Sequence, residues 1–306
     1  METIVLGEAL IDVIDRATGR VEHPGGSPMN VAVGLARLGV PARLVSALGD
    51  DDRGRAIRTH VGASGATVDA TRISRTSTAI ASIDTAGAAS YAFDLDWRLG
   101  PVTVPAGTPL LHTGSIGAVL APGATHVLET VRSRPAGTLV SLDPNVRPSI
   151  TPDRAAVLNV LTPLLAEADV VKLSDEDAAW LWPGRDVDAV LDGLLAGGAG
   201  LAAVTLGGAG CIIASPIARS RWAAPPVNVA DTIGAGDSFM AGLLAGLLAE
   251  QHRAESADAA QLERLARFAL ACATITVSRP GADPPYREEL LLEQPPGMRT
   301  RPGPVT

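Results

Sequence analysis

A short stretch in the last third of the chain combines a glycine turn with two carboxylates. The segment Asp231–Asp237, with the sequence DTIGAGD, runs into the helix-forming residues 240–248. The first N–H groups of a helix lack partners and carry the positive end of its dipole, so such a turn can hold an anion. Asp237 stands where that anion would bind. A carboxylate there can accept the proton of an attacking hydroxyl during phosphoryl transfer.

The same aspartate has a plainer explanation. Aspartate is a frequent N-cap residue, and the local sequence leaves a helix-capping role and a catalytic role for Asp237 equally open. The choice between them depends on what else the chain carries.

A second candidate segment lies near the N-terminus, where residues 25–30 read GGSPMN. A diglycine turn followed by Ser27 as N-cap and Pro28 at the first helical position predicts the start of a helix. Asn30 then falls in the first turn, beside the open backbone of the glycines. An amide there suits a hydroxyl-rich ligand, although a surface asparagine fits the pattern as well. Asp12, within the apolar run 9–14, is either exposed at a strand end or functional.

Composition excludes several classes of protein. The formal charge of −8 argues against a general nucleic-acid binder, which needs a basic face. No apolar run approaches the length of a membrane span, and five scattered histidines give no metal-ligand spacing. Two distant cysteines form no disulfide framework, which favours a reducing, cytoplasmic compartment. Lys172 is the only lysine and is followed by Leu173, so the chain has no Walker A sequence.

Strand and helix patterns alternate along most of the 306 residues. Apolar strands are expected at 3–6, continuing to 14, and at 43–48, 109–112, 138–142, 170–173 and 202–206. This rhythm predicts a single α/β domain, with a mostly parallel sheet covered on both faces and ligands at the carboxyl ends of its strands. Two β-forming runs, 78–84 and 89–94, are separated by the turn residues 86–87. They break the rhythm and predict a hairpin that projects from the main sheet.

Taken together, the GGSPMN and DTIGAGD segments resemble the two motifs of the PfkB family of ribokinase-like carbohydrate kinases. Three further segments, GEALID at 7–12, DPNVRP at 143–148 and KLSDE at 172–176, look most like fructokinases. The resemblance covers nearly the whole chain. It implies a ribokinase-like fold over 1–306, with a small β lid formed by about 12–22 and 76–96 that closes over the sugar.

The resemblance also implies roles for individual residues. Asp237 would be the catalytic base, and its own N–H with Gly234, Ala235 and Gly236 would form the anion hole for the transferred phosphoryl group. The residues implied in binding the sugar hydroxyls are Asp12, Gly25, Gly26 and Asn30. Those implied at the ATP site are Thr205, Gly207 and Gly210, with Lys172 and Ser174 nearby. Arg147 is either a phosphate or substrate contact or a surface arginine.

Two kinds of cation are implied with ATP. The family's Asn-x-x-Glu, which orders Mg²⁺ through water, corresponds here to Ser174–Asp177. It ends on the shorter carboxylate Asp177 with Glu176 beside it, so either residue could serve. The residues that resemble the loops holding a monovalent cation, with K⁺ as the candidate, are Asp231, Ile233, Ser278 and Gly281.

The expected function is therefore transfer of the γ-phosphate of ATP to a terminal hydroxyl of a monosaccharide, with D-fructose favoured. The close alternative is another sugar or a sugar acid such as 2-keto-3-deoxygluconate, which would need an arginine in the sugar pocket. A non-catalytic sugar or nucleotide sensor is disfavoured because the aspartate and glycines are intact. A dinucleotide-like GAGLAA at 198–203 precedes its strand, which disfavours an oxidoreductase. Exposed strand edges in the lid favour a homodimer formed through it.

Overall fold

Alternating apolar segments fold into the expected strands and helices in the computed structural model, which describes residues 1–16, 19–83, 89–250 and 254–292. The elements of the first half of the chain are β1 Thr3–Leu6, β2 Leu10–Arg16, β3 Gly19–Gly25, α1 Ser27–Arg37, β4 Ala42–Gly49, α2 Asp52–Ala63, β5 Thr67–Ile73, β6 Thr78–Ile83, β7 Ala89–Asp94, β8 Leu110–Gly114, α3 Ser115–Val119, α4 Gly123–Arg132 and β9 Leu139–Asp143. Those of the second half are α5 Arg154–Leu165, β10 Val170–Ser174, α6 Asp175–Leu181, α7 Val187–Ala196, β11 Leu201–Thr205, β12 Cys211–Ala214, β13 Arg219–Trp222, α8 Ala235–Glu250, α9 Ala259–Val277 and α10 Arg287–Leu292.

Nine strands form the main sheet in the order β13-β12-β11-β10-β9-β8-β1-β4-β5. The seven strands from β11 to β5 are parallel, and β12 and β13 add an antiparallel edge. Central strands such as β10 and β11 are almost continuously apolar and buried, which is the pattern of strands covered on both faces. The predicted α/β fold is confirmed.

Helices cover the two faces of this sheet and form two separate cores. The first core contains Leu35 of α1, Leu244 of α8 and Ala269 of α9. The second contains apolar residues of α4, α5 and α7. Helices α1 and α8 approach closely, because a side chain at Gly34 would lie 2.7 Å from the Cβ atom of Ala241.

A second, four-stranded sheet has the order β3-β2-β6-β7 and is called the small sheet below. Strands β6 and β7 pair antiparallel as the hairpin pattern predicted, while their turn at 86–87 lies outside the described residues. Strand β2 pairs with β3 and β6. The expectation that β1 continues to residue 14 was wrong, because the chain breaks at 7–9 and β2 joins the small sheet. At this break the chain packs closely against the start of α1, since a side chain at Gly7 would overlap the Pro28 ring.

Other element boundaries also differ from the expectations. Strand β5 at the sheet edge was missed, because its polar and apolar residues give no continuous apolar run. Helix α8 begins at Ala235, five residues before its apolar stretch, so the glycine turn is part of its first turn. Helix α1 begins at Ser27 with Gly26 as its N-cap, so Ser27 is not the cap. None of the helices in the described ranges is long and apolar enough to cross a membrane.

Candidate active site

The aspartate that opened the sequence argument lies at the N-terminus of α8. Asp237 is the third residue of that helix and is only 8% exposed. Gly234, just before the helix, has φ 76° and lies against Ala282, where a side chain would come within 2.6 Å of the alanine Cβ. A glycine is therefore required there both by backbone conformation and by space.

Helix α1 provides both hydrogen-bond partners of the Asp237 carboxylate. The Ser27 hydroxyl donates to Oδ1 at 2.6 Å, and the Asn30 amide donates to Oδ2 at 2.8 Å. These bonds argue against a helix-capping role for Asp237, because its carboxylate is bonded to residues of α1 and not to N–H groups of its own helix. Ser27 was expected only as a cap and is a site residue that the sequence argument missed. Its three-residue spacing from Asn30, which puts both on one helix face, was the available signal.

The diglycine turn makes room for Asp12. Strand pairing places Leu10 opposite Gly25, and a side chain at Gly25 would overlap the Asp12 carboxylate. Gly26 has φ 114°, and a side chain there would lie 2.7 Å from the Glu8 carbonyl oxygen. Asp12 lies within β2 of the small sheet and does not follow a strand of the main sheet.

The position of Asp12 is reflected in its acidity. The side chain remains accessible to water, yet the surrounding protein partly desolvates it and raises its pKa, an effect to which the Asp237 charge adds. The charges of Arg147 and His23 oppose this rise. Arg147 is exposed, and its Nη1 donates to the Val146 carbonyl oxygen at 3.1 Å. Its charge acts on Asp12, so it lies near that carboxylate.

Glu8 is a buried carboxyl at this end of the site that the sequence argument did not single out. It is 5% exposed and accepts a hydrogen bond from the Gly117 N–H at 2.8 Å. Desolvation raises the pKa of Glu8 to about 7, although the Ser115 hydroxyl, backbone N–H groups and Arg147 oppose the rise. The hydrogen bond between Gly117 and Glu8 thus links the segment between β1 and β2 to α3.

Glu8 should make the protein less stable as pH rises. Its folded pKa of about 7 exceeds the unfolded value of 4.5, so its contribution to stability is full below pH 4.5 and is lost as pH rises through 7. Glu8→Gln is neutral at every pH and should remove this loss, which is of order 3 kcal/mol. We expect the variant to gain stability over wild type between pH 5 and 8 in denaturant titrations. A constant difference across that range would contradict the assignment.

The residues implied at the nucleotide site lie at the carboxyl ends of neighbouring strands. Ser174 of β10 and Thr205 of β11 are paired in register. Gly207 follows β11 with φ 53° and no neighbour that would obstruct a side chain. Gly210 differs, because a side chain there would overlap the carbonyl oxygen of Trp222. Gly207 therefore borders open space beside Thr205, whereas Gly210 maintains packing between β12 and β13.

Lys172 was expected near ATP, and it lies buried against the glycine turn at the start of α8. It is 3% exposed, and its Nζ atom donates to Asp143 Oδ2 at 2.9 Å. A side chain at Gly236 would come within 2.8 Å of that Nζ atom. The ammonium group therefore approaches the glycine turn from its protein side.

The two candidate magnesium carboxylates differ sharply in their surroundings. Asp177 is buried: its Oδ1 accepts from the Val146 N–H at 2.9 Å, and its Oδ2 accepts from the N–H and hydroxyl of Ser174. With Ser174 it forms a capping box at the start of α6. Its charge also acts on Asp143 and Lys172. The Glu176 side chain is exposed and forms no hydrogen bond or ion pair with another described residue. Asp177 thus faces the centre of the site.

The residues implied for a monovalent cation come together in two adjacent loops. Asp231 Oδ1 accepts from the Ile233 N–H at 3.1 Å, and its Oδ2 accepts from the Gly281 N–H at 2.9 Å. These bonds lower the pKa of Asp231. Ser278 caps the end of α9, and its hydroxyl donates to the Ile275 carbonyl oxygen. Carboxylate and main-chain oxygens are donors that suit a hard cation. Within the described ranges, no three His, Cys, Asp or Glu side chains form a metal cluster.

Comparison with known proteins identifies the family of the chain. The model of the pfkB family carbohydrate kinases matches residues 2–289. The chain belongs to this family. The fructokinases of Klebsiella pneumoniae and Salmonella typhimurium are 35% and 34% identical to this carbohydrate kinase over 300 residues, in each case 94% of this chain and 97% of the relative.

Solved structures show the same likeness in three dimensions. Fructokinase with bound ATP from Xylella fastidiosa has a TM-score of 0.82 and 28% identity, covering 95% of the kinase and 97% of that chain. A fructokinase double mutant from Vibrio cholerae O395, in a form with bound fructose, ADP and potassium ion, has a TM-score of 0.81 and 25% identity, covering the same shares. Structural neighbours of this kinase thus bind sugars, nucleotides and metal ions.

Proposed function

We propose that this carbohydrate kinase transfers the γ-phosphate of ATP to a terminal hydroxyl of D-fructose. The observation that carries the proposal is the arrangement around Asp237. Its carboxylate lies at the start of α8 and is held by Ser27 and Asn30 of α1, beside the diglycine and Asp12. The similarity to fructokinases over nearly the whole chain supports fructose as the acceptor.

In this proposal the sugar hydroxyls bind Asp12, Asn30 and the backbone at Gly25 and Gly26. Asp237 accepts the proton of the attacking hydroxyl. The transition state of phosphoryl transfer is loose, so this proton moves late and a strong base is not required. Alignment then supplies much of the rate, with up to about 7–11 kcal/mol available from orientation.

The transferred group carries negative charge that the glycine turn can stabilise. Backbone N–H groups from Gly234 to Asp237, at the positive end of α8, would form the anion hole. Thr205, Gly207 and Ser174 would border the nucleotide, with Gly210 holding the strands behind it. Mg²⁺ bound with ATP would supply further positive charge to the phosphate oxygens.

We assign the magnesium-ordering role to Asp177 rather than Glu176. Asp177 Oδ1 accepts one protein hydrogen bond, which leaves it able to accept another from a metal-bound water. Asp143 Oδ1, close enough for the two charges to interact, is buried without a partner among the described residues. Free carboxylate oxygens of this kind suit hydrated Mg²⁺.

Asp177→Asn should therefore raise the Mg²⁺ concentration needed for half-maximal turnover. The amide cannot accept at both of its ends, so a donor now bonded to the carboxylate is left unsatisfied, at a cost of about 1–3 kcal/mol. The melting temperature should fall by several degrees as well. Glu176→Gln is the matched control and should change neither quantity. A magnesium requirement that moves with Glu176 and not with Asp177 would reverse the assignment.

A K⁺ site between the loops at 231–233 and 278–281 is part of the proposal. Asp231 ties these loops together beside the glycine turn, so a cation there would add positive charge near the anion hole. The Vibrio cholerae fructokinase form with a bound potassium ion supports K⁺ as the kind of cation.

Arg147 supports a second candidate, a sugar acid such as 2-keto-3-deoxygluconate. Its charge acts on both Asp12 and Glu8, which places a guanidinium near the sugar-side residues. An arginine in such a position could pair with a substrate carboxylate.

Release of ADP with fructose, ribose, 2-keto-3-deoxygluconate and adenosine separates these candidates. We expect the highest kcat/KM with fructose. A higher value with the sugar acid, lost in Arg147→Ala, would favour the second candidate. Equal background rates with all four compounds would contradict the kinase proposal as a whole.

The small sheet, which contains most of the segments 12–22 and 76–96, would act as the lid over the sugar within one domain of residues 1–306. Its outer strands β3 and β7 are candidates for pairing with a second copy, and we propose a homodimer formed there. Light scattering after size-exclusion chromatography tests this. The buried, unpaired thiols of Cys211 and Cys272 support placement in the cytoplasm.

A further inference from the structure

The only lysine of the chain is one of its most enclosed charged residues. Of the 25 lysines and arginines, 24 are arginines, and the single lysine is Lys172 in the central strand β10. Lys172 is 3% exposed and its partner Asp143 is 0% exposed. A fully enclosed ion pair generally contributes little net stability, because the cost of desolvating both charges offsets their attraction. The pair therefore needs an explanation other than stability.

The Lys172 ammonium lies where positive charge would act on a transferred phosphoryl group. Its Nζ atom would be 2.8 Å from the Cβ atom of a side chain added to Gly236, so the ammonium group lies directly against the backbone of the turn. The charges of Asp143, Asp237 and Asp177 all act on Lys172. The Lys172 ammonium is thus surrounded by the charges of three carboxylates, in the region where the proposed mechanism brings in the negatively charged phosphoryl group.

Packing alone does not account for the surroundings of the Lys172–Asp143 pair. Asp143 Oδ1 is buried without a hydrogen-bond partner in the described part of the chain. The neighbouring His112 is buried, and desolvation together with the Lys172 charge lowers its pKa to about 3. The imidazole is therefore neutral at physiological pH and supplies no positive charge. Lys172 is the cation that lies directly beneath the glycine turn.

We propose that Lys172 is a positioning residue that Asp143 holds beneath Gly236. Its ammonium charge acts through the backbone of the anion hole and stabilises the phosphoryl group during transfer. This role rests on the proposed kinase function and adds a source of charge to it. A lysine suits the place better than an arginine, because its charge is compact whereas a planar guanidinium needs more room. Gly236 is correspondingly the residue that permits the close approach.

Because Lys172 is the only lysine, it can be observed alone in the wild-type protein. Lysine labelled with ¹³C at Cε should give one side-chain signal. We expect little change when fructose binds. We expect a clear shift when aluminium fluoride joins the complex with ADP, Mg²⁺ and fructose, since the fluoride complex imitates the group in transit. An unmoved lysine signal in a sample whose ¹⁹F spectrum shows bound fluoride would overturn the proposal.

A neutral pair tests the same role by kinetics. Lys172→Met combined with Asp143→Asn removes both charges and leaves no unpaired buried ion. At saturating Mg²⁺, where a weakened magnesium site does not limit turnover, we expect kcat to fall about 100-fold, with the KM for fructose within threefold of wild type. Arg219→Met with Asp188→Asn removes an exposed ion pair and is the control, with kcat unchanged. A merely structural role predicts a lower melting temperature with kcat retained.

The outcomes separate the two proposals. A folded neutral-pair variant with kcat within threefold of wild type overturns the role of Lys172 and leaves the kinase function intact. Absence of wild-type turnover on every sugar tested overturns both. If the double variant does not fold, the lysine signal of the wild-type protein decides.

Discussion

Replacing Asp237 with asparagine is expected to lower kcat by about 10²- to 10⁴-fold, the range of general acid–base contributions, while ATP and fructose still bind. An amide cannot take the proton of the attacking hydroxyl. Asn30 and Ser27 both donate to the present carboxylate, so the amide group of the variant would also oppose one donor. Steady-state kinetics with calorimetric binding of fructose would separate the loss of turnover from any loss of affinity.

Asp258→Asn is the matched control for that variant. Asp258 caps α9, and its side chain accepts from the Gln261 N–H at 2.9 Å. Asparagine caps helices about as well as aspartate, so Asp258→Asn should leave both stability and kcat near those of wild type. If Asp237→Asn behaved in the same way, Asp237 would be a structural residue and the proposed base would lie elsewhere.

Replacing Gly25 with alanine is expected to raise the KM for fructose about 10- to 100-fold. The new methyl group would overlap the Asp12 carboxylate and displace it. A hydrogen bond to a charged group contributes about 1.5–3 kcal/mol, and each 1.4 kcal/mol is a tenfold change in affinity. The KM for ATP should change little, because the glycine lies on the sugar side.

Gly62→Ala is the control for the glycine substitution. Gly62 lies in α2, and no atom lies within 4 Å of the position that a side chain would take. It should keep wild-type kinetics and gain slightly in stability, since alanine is the better helix former. A fructose KM in Gly25→Ala within twofold of wild type would show that Asp12 does not hold the sugar.

Much of the fold could be predicted because its signals are local. Central strands such as β11 are nearly continuous apolar runs between turns, and the helices show apolar repeats. The edge strand β5 lacks such a run, and the first turn of α8 contains Gly236 and Asp237, which are poor helix formers. The break between β1 and β2 depends on Pro28 and Gly117, which are distant in sequence, so no local pattern could reveal it.

Some candidate site residues can likewise be recognised from the local sequence, whereas others depend on contacts between distant segments. Asp237 and the diglycine stand out because their residue types in those turns imply a ligand. The hydroxyl of Ser27 looked like an ordinary cap until α1 was placed against α8. Lys172 was visible in the sequence as a lone lysine, yet its position beneath Gly236 follows from the approach of β10 to the start of α8. Glu8 gave no signal, because an acidic residue beside a glycine is commonplace.

The close approach of α1 and α8 at Gly34 and Ala241 has a consequence for how this enzyme can diversify. Helix α1 carries the Asn30 amide, and α8 carries the Asp237 carboxylate. In the proposed mechanism, the distance between these helices therefore sets how far the attacking hydroxyl lies from the Asp237 carboxylate that would accept its proton. A bulkier residue at position 34 would move the helices apart and misalign any acceptor sugar. Acquisition of a new acceptor would therefore proceed through β2 and its neighbours in the small sheet, while the helix pair stays constant.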